Sequence, residues 1–243
     1  MSSPAEASPV RVTGELDGSL SRWLWLVKWL LVIPHLIILI FLSIAFLILT
    51  IVAGFAILFT GKYPRGLFDF NVGVLRWGWR VAFYAYYALG TDRYPPFTLN
   101  STDYPAELDI AYPERLSRVK VLFKWWLLAI PHYLILGVMI GEGVSIASSG
   151  GTDSDGWSDG TTYQHVGGIS LLTLLVLIAA VILLFTARYP GSIFDFVMGI
   201  NRWMFRVVAY AALMTDEYPP FRLDMGPSEP TGPPRTATTG DFS

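Results

Sequence analysis

From Trp29 to Thr60 the chain runs for 32 residues without an aspartate, glutamate, lysine or arginine. An apolar run of roughly 18 residues is already long enough for a helix to cross bilayer hydrocarbon. Three further stretches are almost as free of charge: Val121–Ile140, broken only by Lys124, then Ile169–Thr186 and Val207–Met214. Charged residues make up 15% of the 243, against about 25% in soluble chains. Nine Trp and twelve Tyr fit the same reading, because amphipathic rings favour the headgroup level. The pattern predicts an all-α integral membrane protein of the cell membrane. The polar lead before Trp23 and the length of the run argue against a cleaved signal peptide. With no cysteine, thiolate metal sites, disulfides and Cys nucleophiles are excluded.

The chain repeats itself. Leu20-Ser21-Arg22 recurs as Leu116-Ser117-Arg118, Lys28-Trp29 as Lys124-Trp125, and Ile33-Pro34-His35 as Ile130-Pro131-His132. Tyr63-Pro64 and Phe68-Asp69-Phe70 recur as Tyr189-Pro190 and Phe194-Asp195-Phe196. Arg76-Trp77 and Arg80 recur as Arg202-Trp203 and Arg206. Thr91-Asp92-Arg93-Tyr94-Pro95-Pro96-Phe97 recurs as Thr215-Asp216-Glu217-Tyr218-Pro219-Pro220-Phe221. Seven motifs in one order mark a duplication, with repeat 1 at 10–99 and repeat 2 at 100–224. The Pro/Ser/Thr/Gly-rich ends, 1–9 and 225–243, read as disordered tails.

Charge sets the expected topology. Segment 142–168 carries Glu142, Asp153, Asp155 and Asp159 but no Lys or Arg, so it reads as an extracytoplasmic loop between spans at about 119–140 and 169–186. Repeat 1 is then expected to form the equivalent transmembrane hairpin, with spans at about 23–42 and 44–60 and a turn near Ser43. The rival is one tilted span preceded by an interfacial helix at 22–33. Segments 71–90 and 197–214 each carry two Arg four residues apart on one helical face, costly in mid-bilayer, so they read as interfacial amphipathic helices. Short alternating segments at 10–13, 97–99, 107–110 and 221–223 suggest a small cytoplasmic β-structure. The protein is expected to be multi-pass, with both termini cytoplasmic.

Candidate sites follow from residues rare in membranes. His35 and His132 sit after Pro in apolar segments, where a histidine satisfies polar groups at the kink or packs at the bundle centre, or else serves a proton relay, a transport step or bis-His metal or haem ligation. Arg76, Arg80, Arg202 and Arg206 are candidates for ion pairs or for anionic lipid headgroups. Asp69 and Asp195, between aromatics, read as helix-terminal charges or ion-pair partners. Asp92 and Asp216 are expected to bond the amides of the following turn. No motif for catalysis, nucleotide binding or metal is present, and no basic surface stretch suggests nucleic acid.

At these motifs the chain resembles a family of bacterial membrane proteins, common in actinobacteria, known as a domain of unknown function. The resemblance rests on Ile-Pro-His (33–35 and 130–132), Tyr-Pro…Phe-Asp-Phe (63–70 and 189–196), Arg-Trp…Arg (76–80 and 202–206) and Thr-Asp-x-Tyr-Pro-Pro-Phe (91–97 and 215–221). It implies a two-copy membrane domain and no particular activity. The role expected from the sequence is a non-enzymatic scaffold or accessory subunit, without cofactor or metal. Its partners would be the lipid bilayer, anionic lipids and another membrane protein. The alternatives are a small transporter or lipid-handling protein using His35 and His132, or a bis-His haem redox protein.

Overall fold

A computed structural model describes residues 8–124, 129–140 and 170–227. Strand β1 (Val10–Gly14) leads into a short helix α1 (Trp25–Leu31), a long helix α2 (Ile33–Thr60) and helix α3 (Arg65–Ala85). Repeat 2 follows the same order: β2 (Ala106–Ile110), α4 (Arg118–Phe123), α5 (Ile130–Ile140), α6 (Leu171–Thr186) and α7 (Gly191–Ala211).

The expected turn at Ser43 is absent. α2 is one helix of 28 residues, about 42 Å long at 1.5 Å per residue. Nothing in Ile33–Thr60 stops it: its proline, Pro34, lies in the first turn, where a missing N–H costs nothing. The chain breaks earlier, at Val32, so α1 and α2 are separate helices and Pro34 opens a helix rather than kinking a span. α2 ends at Gly61, in the left-handed conformation at φ 73°. In repeat 2 the corresponding helix is divided into α5 and α6. The predicted acidic loop 142–168, and with it His165, lies outside the described residues. The expected span at 119–140 likewise contains the separate helices α4 and α5.

The expected amphipathic helices begin earlier than the charge pattern suggested, at Arg65 and Gly191, directly after Pro64 and Pro190. Pro as N-cap ends the preceding turn and admits a helix at once. They are also not surface helices. α3 packs α2 on one side and β2 on the other, and α7 packs α5 and α6 on one side and β1 on the other.

Of the four alternating segments, 10–14 and 106–110 pair as an antiparallel two-stranded sheet; 97–99 and 221–223 form no strand. Val10, Val12, Ala106, Leu108 and Ile110 point into the core, while Arg11 and Asp109 are exposed. Parts of the expected disordered tails are engaged with this sheet: Ala111 N donates to Pro9 O at 2.8 Å and Gly14 N to Pro227 O at 3.1 Å. Strand ends carry unpaired amides, and neighbouring chain is the available acceptor.

The two copies are related by a two-fold axis through the sheet. The offset that carries Leu20 onto Leu116 carries Val12 onto Leu108, and these two residues face each other in the ladder. Paired residues of an antiparallel ladder point to the same face, so the axis is normal to the sheet. Trp79 and its mate Phe205 meet edge to face at 5.5 Å where α3 and α7 approach.

Candidate functional site

Three polar clusters occur twice, once per copy. The first joins α1 to the turn after α3. Lys28, 2% exposed, donates to Thr91 O at 2.6 Å and lies 2.8 Å from Asp92 Oδ1, over the ring of Tyr84. Lys124 repeats this with Thr215 O at 2.6 Å, Asp216 and Tyr210. The carboxylates were expected to bond the amides of their own turn. Instead Asp92 Oδ2 accepts from Ser21 N at 2.5 Å and Asp216 Oδ2 from Ser117 N at 2.6 Å. Each Asp therefore clasps the start of its own repeat. A buried ion pair persists when further hydrogen bonds satisfy it, as the carbonyls and amides do here.

The second cluster encloses the histidines. His35 is fully buried, stacks on Phe97 at 3.8 Å, and touches Trp77 at 5.8 Å and Tyr94 at 4.9 Å. His132 stacks on Phe221 at 4.3 Å, with Trp203 at 5.7 Å and Tyr218 at 4.9 Å. The Tyr-Pro-Pro-Phe motif thus folds back as a lid over the Ile-Pro-His turn. His35 does not satisfy a freed carbonyl; its Nδ1 accepts from Trp77 Nε1 at 3.0 Å. His132 and Trp203 make no such bond. The aromatic neighbours of each ring all come from its own repeat.

The third cluster holds the arginines, and here the surface reading fails. Arg80 and Arg202 are fully buried and Arg206 is 3% exposed, so these groups are not available to lipid headgroups. Arg76 Nε donates to Leu108 O at 2.9 Å and approaches Glu107 at 2.7 Å and Asp109 at 3.2 Å. Arg80 meets Glu107 at 2.7 Å and Asn100 O at 2.9 Å. Arg202 donates from Nε to Val12 O at 3.0 Å, and its other nitrogens to Asp224 O and Gly226 O. Arg206 meets Asp224 at 2.6 Å. Each copy's helix is therefore braced to the other copy's strand. The guanidinium groups face inward because the strand carbonyls and Glu107 or Asp224 offer buried, matched acceptors.

The remaining candidates stand apart. Asp69 lies 3.6 Å from Arg65, both well exposed, a pair of little energetic weight. Asp195 makes no ion pair among the described residues; it lines a shallow cleft with Thr13 and Glu15. A further link between α2 and α3 is Asn71, which donates to Tyr63 Oη at 2.9 Å and Thr50 Oγ1 at 3.2 Å. Burial pushes the Tyr63 phenol above its ordinary value, opposed by the bond from Asn71. Sequence reasoning missed Glu107 and Asp224. A signal for the lysine clasp was present: Lys28 and Asp92 both recur in repeat 2, as Lys124 and Asp216. Among the described residues no cluster of His, Asp and Glu could hold a metal ion.

Comparison with known proteins gives one match: the family model for a domain of unknown function (DUF4389) covers residues 22–98 and 167–222, together just over half of the chain. No curated protein and no solved structure matches. The first matched region spans most of repeat 1, and the second covers the part of repeat 2 that holds α6, α7 and the Thr-Asp-x-Tyr-Pro-Pro-Phe motif.

Proposed function

The chain belongs to the DUF4389 family, a domain of unknown function, and from that premise and the geometry we propose a non-enzymatic, membrane-embedded scaffold or accessory subunit. Its termini are cytoplasmic, and its exposed sheet face, around Arg11 and Asp109, meets another membrane protein. The observation that supports this reading is that the buried charges both copies share are neutralised within the fold. Lys28 meets Asp92, Lys124 meets Asp216, and the four arginines meet backbone carbonyls, Glu107, Asp109 and Asp224. Catalysis needs a group left poised toward substrate; these groups point at one another. α2 carries a membrane-length apolar run, almost none of it buried, which supports the membrane setting.

The test is site-specific photo-crosslinking in native membranes from Arg11 and Asp109, with Phe55 on α2 as the control position. One protein partner should be captured from the sheet face, and substitutions there that abolish capture should reproduce the phenotype of a deletion strain. Full function after loss of capture would refute the scaffold reading, and a Soret band in the purified protein would favour haem binding instead.

A second reading, lipid handling, draws on a different feature from the histidines. A cavity of about 580 Å³ runs between α2 and repeat 2, lined by Leu47, Ile51, Gly54, Leu58, Val121 and Leu213. At the two-fold-related place Trp25 and Ala180 stand for Val121 and Gly54, and both pack into the core. Val121→Trp should therefore be tolerated while filling the cavity; unchanged lipid content in the purified variant would dismiss this reading.

A further inference from the structure

We propose that α2, α5 and α6 lie flat in one leaflet, with the two-fold axis along the membrane normal, rather than crossing the bilayer. This rests on the reading of the protein as membrane-embedded and goes beyond it, because it fixes how the protein sits. The argument begins with the sheet. Its axis is normal to the ladder through Val12 and Leu108, so a helix and its two-fold mate lie on the same side of the sheet.

Across that axis the molecule is layered. The sheet presents Arg11 and Asp109 outward on one face. α3 and α7 form the middle: Trp79 reaches up to Thr13 O at 2.9 Å, and Trp77 reaches down to His35 on α2 at 3.0 Å. α2, α5 and α6 form the opposite face, and its large exposed side chains are apolar, among them Ile37, Phe41, Ile51 and Phe59 on α2, Leu134 on α5 and Ile178 on α6. One broad side of the slab is thus ionic and the other is hydrocarbon-like. An exposed apolar area of this extent has to be covered. A helix lying in the interface covers its apolar face with acyl chains, with cations and Trp at the headgroup level.

The direction of α2 supports the flat arrangement. Its N-terminal end adjoins α1, with Arg22, Trp23 and Trp29 exposed. Its C-terminal end adjoins the start of repeat 2: Leu116 N donates to Gly61 O at 2.9 Å, and the Arg118 guanidinium lies over Gly61. Lys62, Arg65, Arg118 and Lys120 are all exposed at that end. Cations therefore flank both ends of α2. A crossing helix would place one set on each side of the membrane, against the positive-inside bias, whereas a flat helix keeps both on the cytoplasmic side. Crossing would also lay the sheet and its charged residues along the normal, at hydrocarbon depth.

The absence of native cysteine makes the test direct. Single cysteines replace Arg22 and Lys62 in the full chain, and an impermeant maleimide is applied to oriented native vesicles. Nitroxides placed at Ile37, Ile44, Ile51 and Phe59 report depth through their relaxation by oxygen and by aqueous nickel. The expected result is labelling of both ends from the cytoplasmic side only, with all four nitroxides at one shallow depth. Labelling of the two ends from opposite sides would overturn the proposal. So would a depth profile passing through the bilayer centre, and so would nitroxides shielded from both relaxants, which would mean that a protein covers this face. Polarised infrared spectroscopy of the unsubstituted protein in oriented bilayers gives an independent answer: helix axes along the normal would also overturn it. Release of the protein by alkaline carbonate, by contrast, would refute the membrane reading itself.

Discussion

Val12 and Leu108, equivalent residues of the two repeats, face each other in the sheet, and each carbonyl accepts an arginine Nε from the opposite repeat: Arg202 at 3.0 Å for Val12 and Arg76 at 2.9 Å for Leu108. Helix and strand are thereby exchanged between copies. Neither repeat completes its own core without the other's strand. The duplication is therefore built into this fold, since one unit alone lacks the strand that packs its helix and the carbonyl that accepts its first arginine's Nε.

This exchange can be locked covalently. Arg11 pairs with Asp109 on the exposed face of the ladder. Directly paired residues stand about 4.5–5.5 Å apart at Cα, within disulfide reach. Arg11→Cys with Asp109→Cys should oxidise to an intramolecular crosslink, read as a shift in electrophoretic mobility abolished by reductant. Arg11→Cys with Ala111→Cys, out of register, should not. Equal crosslinking of both pairs would contradict the register.

The lysine clasp should be costly to break on one side only. Asp92→Asn leaves Lys28 buried and unpaired and should destabilise the protein by about 3–5 kcal/mol, whereas Lys28→Met with Asp92→Asn should cost distinctly less. Asp216 and Lys124 should behave alike. Chemical denaturation in detergent gives both values, and a double variant as unstable as Asp92→Asn would show that the pair is not coupled.

The two histidine cages supply an internal control. Trp77 donates to His35, while Trp203 makes no hydrogen bond to His132. Trp→Phe removes similar ring volume in each copy, so the difference isolates the bond. Trp77→Phe should cost about 1–2 kcal/mol more than Trp203→Phe, because it leaves a buried acceptor unsatisfied. Identical melting temperatures would discount the Trp77–His35 bond.

Gly61 and its mate Ala187 both adopt the left-handed conformation that ends α2 and α6, at φ 73° and 57°. A side chain in that conformation costs about 1–2 kcal/mol. Ala187→Gly should therefore raise the melting temperature, by an amount corresponding to about 1 kcal/mol after the entropy of the unfolded glycine is deducted. The reverse change, Gly61→Ala, should lower it.

The sequence by itself determined the repeated motifs, the apolar segments and the alternating segments at 10–13 and 107–110, because each rests on local periodicity or on self-similarity along the chain. It also exposed the residues that matter, since His35, Lys28 and Arg76 each recur in repeat 2. What those residues contact was decided by tertiary structure. A pair of arginines four residues apart reads as a surface stripe until the opposite strand is placed over it. The carboxylate that meets them is Glu107 in one copy and Asp224 in the other, whereas the repeat mate of Glu107 is Arg11 and that of Asp224 is Asn100. No local pattern could reveal that exchange. The expected turn at Ser43 failed for a related reason. Hydropathy records that a segment avoids water but not the direction in which it leaves it, and the continuity of α2 is set by helix geometry and its packing on α3.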